Sequence, residues 1–114
     1  MIMHYTELGK GLRLVKLHGR LDMVGANEIE SEFAASCAAD HTTVLVDLSD
    51  VEFLTSFGMR LLVSNAKTVA ERGGRMVVAG PSPHVKDTLD VSGVSSIIPI
   101  YESVASARSA LHQP

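Results

Sequence analysis

Thr43-Val44-Leu45-Val46-Asp47 and Met76-Val77-Val78-Ala79 are short, largely apolar runs, and a stretch with helical periodicity separates them. Runs of this kind are what a sheet covered on both faces requires, and strands separated by helices lie parallel within it. In the intervening stretch Gly58, Leu61, Leu62, Ala66 and Val69 form an inner stripe. Arg60, Ser64, Lys67 and Glu71 form the outer one. Gly73-Gly74 stops this helix, because glycine takes the left-handed cap at little cost.

The same alternation extends in both directions. Met3–Leu8 and Leu12–His18 read as two strands joined around Gly9-Lys10-Gly11, whose glycines suit the turn of a hairpin. In the second of them Leu12, Leu14, Lys16 and His18 alternate with Arg13, Val15 and Leu17. After Gly19-Arg20-Leu21-Asp22, the residues Ala26, Ile29, Phe33 and Cys37 recur at helical spacing, and acidic residues are expected to crowd the beginning of that helix. Pro83 suits the first turn of a third helix carrying Val85, Leu89 and Val91 and closed by Gly93. Ile97-Ile98-Pro99-Ile100 reads as a short edge strand, since its proline cannot donate to a ladder. Val104, Ala107 and Leu111 give a closing helix that starts near Ser103. The order ββαβαβαβα predicts one α/β domain with a mixed, mostly parallel sheet, an N-terminal antiparallel hairpin and about four helices.

With 114 residues the chain can bury roughly two-thirds of its unfolded surface without a disulfide or metal. The single cysteine, Cys37, excludes an internal disulfide framework and fits a reducing compartment; on the inner stripe of its helix it is expected to be buried and inert. The formal charge is −3 and the basic residues are scattered, so no stripe is available to displace counterions from a nucleic acid. Met1-Ile2-Met3-His4-Tyr5 lacks the basic start and apolar run of a secretory signal. No stretch approaches the ~18 apolar residues of a membrane helix, so no direct membrane insertion is expected. These readings predict a cytoplasmic protein with protein or small-molecule partners.

Chemistry concentrates between Val44 and Met59, where a buried strand is expected to pass through a polar connection into an amphipathic helix. Ser56 stands at the helix start, where a side-chain oxygen can accept from an N–H two or three residues on; Met59 in place of Glu or Gln rules out a full capping box. Most serines so placed are caps and nothing more. A phosphate there would add about −1.5 to −2 charges beside free N–H groups, which the helix tolerates and a partner packed over the spot does not. A loss of about 2.7 kcal/mol already weakens binding roughly a hundredfold. A hydrolase nucleophile elbow is not expected, because Leu54 occupies the position that needs glycine and nothing pairs His84 or His112 with Ser56. The five histidines show no short metal-ligand spacing. Asp47, Asp50 and Glu52 read as a solvated acidic loop, and Gly9-Lys10-Gly11 is not a phosphate-binding loop. No cofactor or metal, and no enzymatic activity, is expected.

Gly19-Arg20-Leu21-Asp22, Val46-Asp47-Leu48, Ser56-Phe57-Gly58, Gly73-Gly74 and Val85-Lys86-Asp87-Thr88-Leu89-Asp90-Val91-Ser92-Gly93 resemble, in order, the landmarks of the STAS family. More narrowly they resemble the bacterial anti-sigma factor antagonists, from about Leu12 to Leu111. The resemblance implies an unphosphorylated form that binds an anti-sigma factor, itself a serine protein kinase, and so releases a sigma factor. The kinase then phosphorylates the serine at the helix start, and a metal-dependent, PP2C-type phosphatase reverses the modification. Carried over by motif, it makes Ser56 the phosphoacceptor and puts Asp22 and Met23 on the partner-facing surface. It further implies that Gly58 lets the partner approach the backbone and that Thr55 and Met59 flank the contact. Two positions depart from the pattern. Thr55 replaces the usual aspartate and offers a second hydroxyl as alternative acceptor, and Phe57 replaces a residue that is often small and polar. The same fold also serves as a non-switching subunit of lipid or anion transport complexes, the alternative reading.

Overall fold

In the computed structural model, which describes residues 1–9 and 11–112, each periodic segment becomes an element. The described residues form β1 (Ile2–Gly9), β2 (Leu12–Leu21), α1 (Met23–Ser36), β3 (Thr43–Leu54) and α2 (Ser56–Glu71). These are followed by β4 (Arg75–Ala79), α3 (Pro83–Val91), a 3-10 turn (Val94–Ser96), β5 (Ile100–Tyr101) and α4 (Val104–Leu111). The sheet order is β1-β2-β3-β4-β5; β1 pairs antiparallel with β2, and every later neighbour is parallel. This is the α/β fold with an N-terminal hairpin that the sequence predicts. Lys10, in the hairpin connection, lies outside the described residues.

Alternation along the central strands sends successive side chains to two cores. Val44 and Val46 of β3 join Val15, Leu17 and Val78 in packing against Ile29 and Phe33 of α1, Leu61, Leu62 and Val69 of α2, and Val85 and Leu89 of α3. Leu45, between them in sequence, packs with Val77, Ala79 and Ala107, and α4 adds Val104 and Leu111 there. Burial on both faces explains why the runs are apolar throughout. Gly73 closes α2 in the left-handed conformation (φ +81°), as expected.

Several local expectations are corrected. Residues 48–54 are not a polar connection but a continuation of β3, paired with an equally prolonged β2. Two register shifts, between Lys16 and His18 and between Gly19 and Arg20, carry the pairing past the polar residues, and Leu48, Val51 and Leu54 are buried by it. The acidic residues therefore belong to a strand rather than a solvated loop. Asp47 is buried and accepts from the Ser49 amide at 2.9 Å, while Asp50 pairs with Lys16 at 3.1 Å and lies 3.7 Å from His18. The first turn of α1 carries no acid; Glu28, Glu30 and Glu32 lie further along, and Asp22 serves the helix start as its cap. Val91 is 82% exposed and lies off the buried stripe of α3. The last strand begins only after Pro99, whose carbonyl accepts from the Val78 amide at 2.9 Å. It does lie at the sheet edge.

Candidate functional site

β2 and β3 end side by side, with Leu21 paired to Leu54, and each launches a helix. The residue after each strand is the cap of the next helix, so Asp22 and Thr55 stand together at one edge of the domain. Asp22 Oδ1 accepts from the Gly25 amide at 2.9 Å, and the Arg20 guanidinium lies 3.5 Å from Oδ2. The Gly25 hydrogen bond, followed by Arg20, holds the Asp22 carboxyl below the usual aspartate range.

Thr55 occupies the cap position expected for Ser56. Its backbone is extended, and its side chain makes no capping bond to α2. Its amide and its hydroxyl both turn back to the Leu21 carbonyl, at 3.1 and 3.4 Å. Ser56 is the first residue inside the helix and is exposed. Among the described residues none hydrogen-bonds its hydroxyl. The amides of the first turn precede the first helical acceptor and receive no side-chain cap, which leaves partial positive charge beside Ser56.

Gly58 is buried, and its missing side chain points inward. A Cβ there would lie 2.6 Å from the Leu21 carbonyl oxygen and side chain and 2.7 Å from Leu54 Cδ1. Its role is to seat the first turn of α2 on the ends of β2 and β3. This internal requirement accounts for a glycine at this position. Met59 is half-buried and packs against the core, whereas Met23 is 51% exposed.

Around Ser56 the structure gathers side chains that sequence reasoning did not select. Phe57 is 44% exposed at the start of α2 and shares a groove with Met23 at the start of α1, where Val24 is 62% exposed. The Arg60 guanidinium sits 6.0 Å from the Phe57 ring centroid. Three residues before Ser56, Phe53 is covered by Arg20 at 4.8 Å and stacks on His84 at 6.2 Å. Between α1 and α2 runs a groove of about 470 Å³, lined in part by Met23, Ala26, Glu30, Phe57, Arg60 and Leu61. Grouped, exposed apolar side chains rimmed by charge suit a protein contact. The signal available in the sequence was Phe57 itself, an aromatic residue outside the inner stripe of its helix. Among the described residues no histidine or carboxylate engages the Ser56 hydroxyl, and no three metal-ligating side chains stand together.

The comparisons with known proteins agree with this architecture. The family model described as STAS domain matches residues 6–107. An anti-sigma F factor antagonist of Paenibacillus polymyxa is 30% identical over 110 residues, covering 92% of this chain and 91% of its own. BtrV of Bordetella bronchiseptica is 29% identical over 100 residues, covering 88% and 86%. The crystal structure of an anti-sigma factor antagonist from Mycobacterium paratuberculosis superposes with a TM-score of 0.87 at 25% identity, covering 98% of this chain and 94% of that one.

Proposed function

The chain belongs to the STAS domain family, and from that premise we propose that it is an anti-sigma factor antagonist working by partner switching. In its unmodified form it binds an anti-sigma factor that is also a serine kinase, displacing the sigma factor. In the reverse phase Ser56 Oγ attacks the γ-phosphorus of the kinase-bound ATP. Its proton passes to the kinase or solvent, and ADP leaves. A PP2C-type phosphatase restores the hydroxyl with water and releases inorganic phosphate. The chain is the substrate and ligand in this cycle and supplies no catalysis.

The observation that carries the reading is the state of two adjacent hydroxyls. Thr55 is half-buried and turned onto Leu21, whereas Ser56 is exposed and unengaged next to the exposed Phe57. This favours Ser56 over Thr55 as acceptor. A dianion at Ser56 meets favourable amides within the domain, so the fold tolerates it, while a partner covering the same apolar surface must desolvate it. Pull-down from the native cell with unmodified and Ser56→Asp protein tests the reading. A serine kinase retained by the first and lost, roughly a hundredfold, by the second is expected. Equal retention of a transport-complex protein by both would overturn it in favour of a non-switching subunit.

A further inference from the structure

Arg60 lies one helical turn after Ser56, on the exposed side of α2. Residues four apart on a helix face each other. Its guanidinium rests near the Phe57 ring, and among the described residues no carboxylate lies within ion-pair distance of it. Glu30 of α1 lines the same groove without pairing with it, and Asp22 is already held by Gly25 and Arg20. An unpaired, exposed arginine beside an exposed serine hydroxyl is poised for one new contact that the unmodified protein does not make.

We propose that Arg60 is the positioning residue that reads the modification of Ser56. A phosphate on Ser56 draws the guanidinium off the Phe57 ring into an i,i+4 pair, because a charge-assisted, bidentate contact to phosphate outweighs an exposed cation–π contact. Phosphorylation then changes the docking surface in two ways. It adds a dianion, and it withdraws a cation from the groove mouth while uncovering the Phe57 ring. A partner that recognises the Arg60–Phe57 pair loses its contact even before it meets the phosphate. This inference rests on Ser56 as the acceptor and deepens that reading.

The test builds phosphoserine into position 56 by genetic encoding, so no kinase is needed. The second phosphate ionisation, near pH 6 for a free phosphoserine, is followed by phosphorus NMR. In the otherwise wild-type protein its midpoint is expected about 0.3 pH unit below that of the Arg60→Ala variant, with Arg60→Lys restoring most of the difference. The Arg60 δ-proton resonances are expected to lose their ring-current shift when Ser56 carries phosphate and to keep it otherwise. Equal midpoints in wild type and Arg60→Ala, or unmoved δ-proton resonances, would overturn the proposal. Because phosphate is installed directly, that result leaves Ser56 standing as acceptor; mapping of the cellular phosphosite decides that question separately.

Discussion

Thr55 is fastened to Leu21 by two hydrogen bonds to one carbonyl, from its amide at 3.1 Å and from its hydroxyl at 3.4 Å. The contact joins the cap of α2 to the end of β2, and it turns one of two neighbouring hydroxyls inward while the next, on Ser56, stays outside.

Replacing Thr55 by valine keeps its shape and removes the hydroxyl. The long hydroxyl contact limits the cost to about 0.5 kcal/mol. Phosphate incorporation by the cognate kinase is expected to continue in Thr55→Val and to disappear in Ser56→Ala, measured by intact mass after incubation with ATP.

Thr55 also leaves the first-turn amides of α2 without a side-chain acceptor. An aspartate can accept from them and oppose the helix dipole. Thr55→Asp is expected to stabilise the domain by about 0.5 kcal/mol. Its thermal midpoint should rise by about 3 °C in a calorimetric scan. A midpoint that falls would show that the Leu21 contact outweighs the missing cap.

Gly58→Ala places a methyl group within 2.7 Å of Leu21 and Leu54. The helix-propensity gain of alanine, near 1 kcal/mol, opposes a larger overpacking cost. A net loss of about 1–2 kcal/mol is expected, read as a lower urea midpoint with an unchanged slope. A variant as stable as wild type would contradict the assignment of this glycine to packing.

Asp22 gives a pH signature. Its folded carboxyl titrates below the usual value, so the folded state binds its proton less readily than the unfolded chain does. The stabilisation is therefore present above the unfolded value near 3.9 and is lost as pH falls through the lower folded value. Asp22→Asn retains an acceptor for the Gly25 amide but cannot titrate. Its stability should vary less steeply below pH 4 than that of wild type, in urea titrations across that range.

Much of this architecture was legible because apolar periodicity and glycine punctuation survive in a single sequence. Gly73 and Gly93 both take the left-handed conformation at helix ends, and Ser103 caps the last helix where its pattern begins. The thiol of Cys37 is buried as its place on the stripe implies, and burial pushes its pKa up to about 11. What escaped was decided by tertiary pairing. Asp47, Ser49, Asp50 and Glu52 look like loop residues, yet the pairing with β2, carried on across two register shifts, holds them in a strand. Two adjacent hydroxyl residues at a helix start do not reveal which is the cap until the Leu21 carbonyl is seen to claim Thr55. Gly58 shows the limit most clearly, since a motif glycine two residues after Ser56 proves to face inward. That Phe57 shares a groove with Met23 was not legible, because the two helix starts meet only in the folded chain.

The central claim is tested most directly by phosphopeptide mass spectrometry on the protein taken from its native cell, with phosphatases inhibited at lysis. The account predicts phosphate on Ser56, in a fraction that changes with growth condition. Phosphate confined to Thr55, or a Ser56 that stays unmodified across growth conditions, would contradict it.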